Sequence, residues 1–160
     1  ALTLYQPWAW AIVCGPKRIE NRPWKPWPAI VGQRIAIHAG KTYDAEGAVF
    51  IRALGLQPPD SAKCVRGAII GTTRVLGCAA SQHDHRIHSS QLCWWSGPFA
   101  WLLEDVQAVE PWPCRGALAL WDAPAAFVAA LGRSSVADPW EDACGGCGYA
   151  WQHCECESRR

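Results

Sequence analysis

The chain contains no methionine and only three tyrosines and three phenylalanines among 160 residues. An initiator residue is therefore expected to have been removed or to fall outside the numbering. Charge is also scarce: 18% of residues are charged, against about 25% in an average domain. The two signs balance to a net charge of +1. The molecule as a whole has no strong field, so contact with nucleic acid has to come from a local patch. No apolar run approaches the ~20 residues that cross a bilayer, so no integral membrane protein is expected. Residues 1–11 lack a basic region ahead of an apolar stretch, and no secretory signal is expected there. No repeat with a period of ~20–50 residues is present, which excludes solenoids and propellers. Half the residues are apolar, which excludes disorder over most of the length. The length suits one main domain.

Two residue types are abundant. There are eleven tryptophans and nine cysteines. Most of the tryptophans must be core, since each buries a large area, and a few are left to line a site that stacks planar ligands. Cys144, Cys147, Cys154 and Cys156 crowd together, whereas Cys14, Cys64, Cys78, Cys93 and Cys114 are scattered. An odd, uneven set is unlike a secreted disulfide framework and points to a reducing, cytoplasmic compartment. The scattered thiols read as small buried apolar residues. The crowded four, with Gly145-Gly146 between the first pair and His153 beside the second, fit a closed structural zinc site that staples a tail. Free thiols, or disulfides formed later, are the alternatives.

Along the chain, Pro7 followed by residues 8–13 predicts a short helix stopped by Gly15-Pro16. Residues 17–22 alternate as an exposed strand would, and Pro23 to Pro28 form an irregular loop. Strands are predicted over 32–39, 67–76, 99–104 and 117–121. Helices are predicted over 44–56, with Asp44 as N-cap, and over 125–131. The five strands are expected to form a small closed or nearly closed barrel, because closure removes exposed sheet edges.

The strongest chemical signal is Gly15-x-Lys17-x-x-Glu20-x-Arg22, preceded by Gln6-Pro7-Trp8. On a strand, Glu20 and Arg22 project from one face. The bases suit a phosphate or carboxylate, and Glu20 suits an amino group. A plain surface ion-pair cluster is the competing interpretation. The run LTLYQPWAWAIVCGPKRIENRPW resembles the opening of the ASCH domain family, one of the PUA-like barrels. GQRIAIHAGK, GAIIGTTRV, WSGPFAWLLED and PCRGALALW resemble its later strands and occur in order, covering about residues 2–122.

The resemblance implies an α+β, mainly β fold: a small PUA-like β-barrel with a few flanking helices over residues 1–132. A Cys-rich extension follows over 133–160. It also implies a cleft beside the first helix that binds RNA, DNA or a nucleotide-like ligand. The residues expected at that cleft are Trp8, Lys17, Glu20, Arg22, Trp24, His38 and Lys41, with Trp27 as a further stacking candidate. RNA, or a single-stranded or flipped nucleotide, is the expected partner, and a protein partner would dock on the tail.

Some relatives resemble amidohydrolases of acylated cytidine that use a Lys and, three residues on, a Thr. Here Lys17 is kept but Glu20 takes the second place, so Lys17 and Glu20 would be catalytic only by another route. Other relatives resemble ribonucleases. His38 beside Gly40-Lys41 reads either as an acid–base group or as a structural histidine. His83, His85 and His88 with Asp84 lie in a polar loop, which suits a covering flap better than a metal centre.

Overall fold

The computed structural model describes residues 1–132; the proposed zinc ligands Cys144, Cys147, Cys154 and Cys156 lie outside the described residues. The elements run β1 (Leu2–Gln6), α1 (Trp8–Val13), β2 (Ile19–Arg22), β3 (Arg34–Tyr43), α2 (Ala45–Ala53), β4 (Ala68–Ala79), β5 (Phe99–Pro113) and α3 (Ala125–Leu131). The strands form one sheet in the order β1-β3-β4-β5-β2, curled into a half-barrel. β1 pairs with β3 in parallel, and the other pairings are antiparallel.

This order makes β1 and β2 the two edge strands, although α1 alone separates them in sequence. The chain therefore leaves one edge, passes through α1 and starts the other edge. The seam is crossed by a side chain: Arg22 Nη2 on β2 donates to the Thr3 carbonyl on β1 at 3.3 Å. Trp121 N donates to the Ala1 carbonyl, and Leu2 bridges Leu120, so the chain after β5 returns to the β1 side.

A six-residue helix is too short to stand alone in water. α1 persists because the sheet wraps it: residues 9–13 are all buried, and the helix touches β1, β3, β4 and β5. Pro7 offers no side-chain cap, and Gln6 supplies one instead. Its Oε1 accepts from Trp10 N at 3.0 Å while its Nε2 donates to the Val65 carbonyl at 2.8 Å. The main core joins Ile12 and Val13 of α1 to Leu2, Leu4, Ile35, Ile37, Val75 and the fully buried Trp101. A second cluster holds Trp10, Ile51, Ile87, Trp94 and Leu102 under α2. Gly71 on β4 lies directly beneath the helix, and a Cβ there would stand 2.7 Å from Val13 Cγ2 and 2.9 Å from the Gln107 carbonyl.

Several elements depart from the sequence expectations. β1 was not anticipated, since five residues ahead of a proline carry little pattern, and its partner β3 lies remote in sequence. β3 continues past Gly40, where a Cβ would stand 3.1 Å from the Leu4 carbonyl of β1 and 3.2 Å from Thr3 Cγ2. β5 extends to Pro113 because β4 provides a long antiparallel partner. Residues 117–121 meet β1 through the isolated Leu2–Leu120 bridge and the Trp121 bonds to Ala1 and Thr3, and Leu118 is 95% exposed, so the strand expected there does not form. α2 is capped as expected, with Asp44 Oδ1 accepting from Gly47 N at 2.8 Å, and α3 covers the expected span.

Gly71→Ala is expected to lower stability by about 1–3 kcal/mol, because both the helix and the β5 backbone resist the added methyl. Urea denaturation of the two proteins checks this.

Candidate functional site

Lys17 sits in the turn between α1 and β2, and it is 2% exposed. Its ammonium donates to the Ile19 carbonyl at 2.5 Å and to Glu20 Oε2 at 2.7 Å. Glu20, 7% exposed, lies with Oε1 at 3.2 Å from Arg22 Nε. Strand alternation puts Glu20 and Arg22 on one face of β2, and the preceding turn brings Lys17 under the same carboxylate. The three residues form a chain of alternating charge at the seam. Lys17 thus holds Glu20 through a buried ion pair, its own ammonium shared between that carboxylate and the Ile19 carbonyl.

Two hollows meet at this chain. The larger, of about 510 Å³, is bordered by Trp8, Lys17, Glu20 and Asn21, by Asp44, Glu46, Gly47 and Phe50 at the start of α2, and by residues 93–96. The smaller, of about 280 Å³, lies along β1 between Glu20 and Arg22 on one side and residues 117–119 on the other. Trp8 and Glu20 border both, so they form the partition.

The walls are fixed by specific bonds. Trp8 Nε1 donates to Asp44 Oδ2 at 2.8 Å, which ties α1 to the start of α2. The Trp8 indole lies so close to α2 that a Cβ on Gly47 would come within 2.6 Å of it. Asn21 Nδ2 donates to the Trp94 carbonyl at 2.8 Å, and Ser96 N donates back to Asn21 Oδ1 at 3.1 Å. That pair of bonds holds the Trp94–Ser96 segment against β2. In the larger hollow three carboxylates, Glu20, Asp44 and Glu46, face one ammonium, Lys17. The hollow is therefore acidic and aromatic, with the cationic Arg22 on the far side of the partition.

The structure brings together four of the expected cleft residues: Trp8, Lys17, Glu20 and Arg22. Trp24 packs edge-on against Trp101 at 4.7 Å between ring centroids and joins the core, whereas Trp27 is exposed on its loop away from both hollows. Lys41 is exposed on β3 and borders neither hollow. His38 is 2% exposed, its Nε2 lies 3.1 Å from the Cys114 carbonyl, and its ring meets Trp121 edge-on. Burial lowers its pKa from 6.5. His83, His85 and His88 are all exposed, and Asp84 pairs with Arg86. Among the described residues, no group of three His, Cys, Asp or Glu is placed to hold a metal. Of the scattered thiols, Cys64 is buried and pushed up to about 11 by desolvation, while Cys93 is exposed at the cleft, not buried as expected.

Sequence reading missed Asn21, Glu46, Phe50, Trp94 and Trp95 as wall residues. The available signal was the Trp94-Trp95 doublet just ahead of the Ser96-Gly97-Pro98 turn, an aromatic pair outside any periodic element. The α2 contributions carried no such signal, because only the tertiary fold brings that helix to Trp8.

The described residues form a mainly β half-barrel with a helix crossing its seam. A family model, the ASCH domain, matches residues 2–113, and the chain belongs to that family. Among solved structures, the chain is similar to ASCH from Zymomonas mobilis, with 21% identity, coverage of 70% of this chain and 71% of that one, and a TM-score of 0.42. A point mutant of the same protein matches with 21% identity, coverage of 70% and 73%, and a TM-score of 0.41. A search of curated proteins gave no match. Among the described residues, no helix is long and apolar enough to cross a membrane.

Replacing Lys17 by Met leaves the Glu20 carboxylate buried without its main partner. A loss of about 3 kcal/mol is expected, at the low end of the range for broken buried pairs because Arg22 still faces Glu20. The double variant Lys17→Met/Glu20→Gln is expected to regain part of that loss in chemical denaturation. A second expectation concerns acid. The folded state accepts neutral His38, with Nε2–H donating to Cys114 and Nδ1 buried without a partner. Because the folded pKa lies below 6.5, this contribution is complete above pH 6.5 and declines as pH falls below it. Melting temperatures between pH 8 and pH 5 should fall less steeply for His38→Asn than for the native chain.

Proposed function

We propose that the chain is an RNA-binding ASCH module that takes one unpaired or flipped nucleotide across the seam. The base enters the larger hollow and the attached phosphate reaches Arg22 in the smaller one. The observation that carries this reading is the shared partition: Trp8 offers an aromatic face and Glu20 an acceptor to both hollows. Stacking contributes about 1–3 kcal/mol per base without demanding a sequence. Glu20, held by Lys17, presents its remaining lone pairs to an exocyclic amino or ring N–H group. The near-neutral net charge fits recognition of a single nucleotide better than nonspecific grip on a long duplex.

The roles divide differently from those suggested by the motif. Lys17 supports Glu20, Arg22 meets the phosphate, and Trp95 with Trp8 provides stacking faces, both being half-buried at the hollow.

Binding of short single-stranded RNA, followed by tryptophan fluorescence, tests this. Trp95→Ala is expected to weaken binding by roughly 5- to 150-fold, the equivalent of one lost stack. Arg22→Gln should weaken nucleotides and leave the corresponding nucleosides little affected. Unchanged affinity in both variants would remove the reading. Release of acetate from acetylcytidine that disappears in Lys17→Met would replace it with hydrolysis.

A further inference from the structure

We infer that the larger hollow selects a nucleobase carrying a fixed positive charge, such as an N-alkylated purine. This rests on the nucleobase reading above and names the class of base.

The charge balance carries the inference. Glu20, Asp44 and Glu46 border the hollow, and the only facing cation among the described residues, Lys17, is already bound to Glu20. Of the two at the start of α2, Asp44 accepts from Gly47 N and Trp8 Nε1, and Glu46 has no cation beside it among the described residues that line the hollow. Asp44 caps the helix and Glu46 complements its dipole, which accounts for acidic residues at a helix start. It does not account for both residues lining a cavity walled by indoles. Phosphate is repelled by such a site, and a neutral uracil gains stacking there but no charge attraction. A cationic ring gains from both features at once: its charge meets the carboxylates and the negative faces of the indoles.

The geometry of the aromatic wall agrees. The Trp8 and Phe50 rings stand 6.0 Å apart, tilted by 42°, as two adjoining walls. Phe50 is 39% exposed and borders the hollow. Trp8 cannot swing toward α2, because Asp44 holds its Nε1 and Gly47 lies against its ring. A quaternary ammonium head, as on a methylated lysine, also favours aromatic and acidic walls. It would fill little of a hollow of about 510 Å³, which a planar purine fills better.

The test uses the full chain and paired mononucleotides: 7-methylguanosine monophosphate against guanosine monophosphate, and 1-methyladenosine monophosphate against adenosine monophosphate. Each charged member should bind at least tenfold more tightly than its neutral partner, a difference of about 1.4 kcal/mol. Glu46→Gln, an exposed change that preserves the helix, should reduce that preference at least threefold. Equal affinity within both pairs would overturn the inference and leave the nucleobase reading standing. A trimethyllysine peptide binding more tightly than every nucleotide, or no nucleotide binding at all, would overturn both.

Discussion

A buried carboxylate needs a cation, and in this fold that need organises the seam. Glu20 lies on an edge strand whose outer side has no neighbouring strand. Removing it from water is tolerated because Lys17 pairs with one of its oxygens and Arg22 with the other. Arg22 in turn reaches the Thr3 carbonyl on the opposite edge. One chain of charge thus fixes an acceptor at the floor of a cleft and links the two ends of the sheet. The buried helix α1 makes this possible. It carries the chain from edge to edge, and its first residue, Trp8, forms the wall beside Glu20.

The cleft owes its character to what surrounds that floor. α2 brings two carboxylates and a phenylalanine, and the segment before β5 brings two indoles. Neither group belongs to the charged motif. Each is locked by a bond from a motif neighbour: Asp44 receives Trp8 Nε1, and Asn21 pins the Trp94–Ser96 segment from both ends. The shape of the hollow is therefore set before any ligand arrives, which reduces the ordering cost of binding. The cationic Arg22 stands on the other side of the partition, so base-like and phosphate-like chemistry are separated in space.

Much of the local structure was legible. The Asp44 cap, the α1 stop at Gly15-Pro16, the β-branched run of β4 and the span of α3 follow from short-range rules of capping, punctuation and pattern. The charged motif was legible as a cluster, but the roles within it were not. A lysine in a sequence reads as a phosphate ligand, whereas burial and two short hydrogen bonds make Lys17 a support for Glu20. Trp24 and His38 show the same difficulty. Each looked available beside a loop or strand end, and each is committed to packing, Trp24 on Trp101 and His38 between Cys114 and Trp121.

By itself the sequence determined the three helices, strands β2 to β5, the mainly β class and the presence of a charged motif beside a tryptophan, because these depend on residues a few positions apart. Only the tertiary structure decided that β1 and β2 become opposite edges, that α2 turns its acidic start toward Trp8, and that Lys41 stays outside the cleft. Those outcomes depend on how the sheet curls around α1. Curling is a property of strand pairings between distant segments, such as β1 with β3 and β2 with β5, and no local pattern encodes which surfaces it will bring face to face.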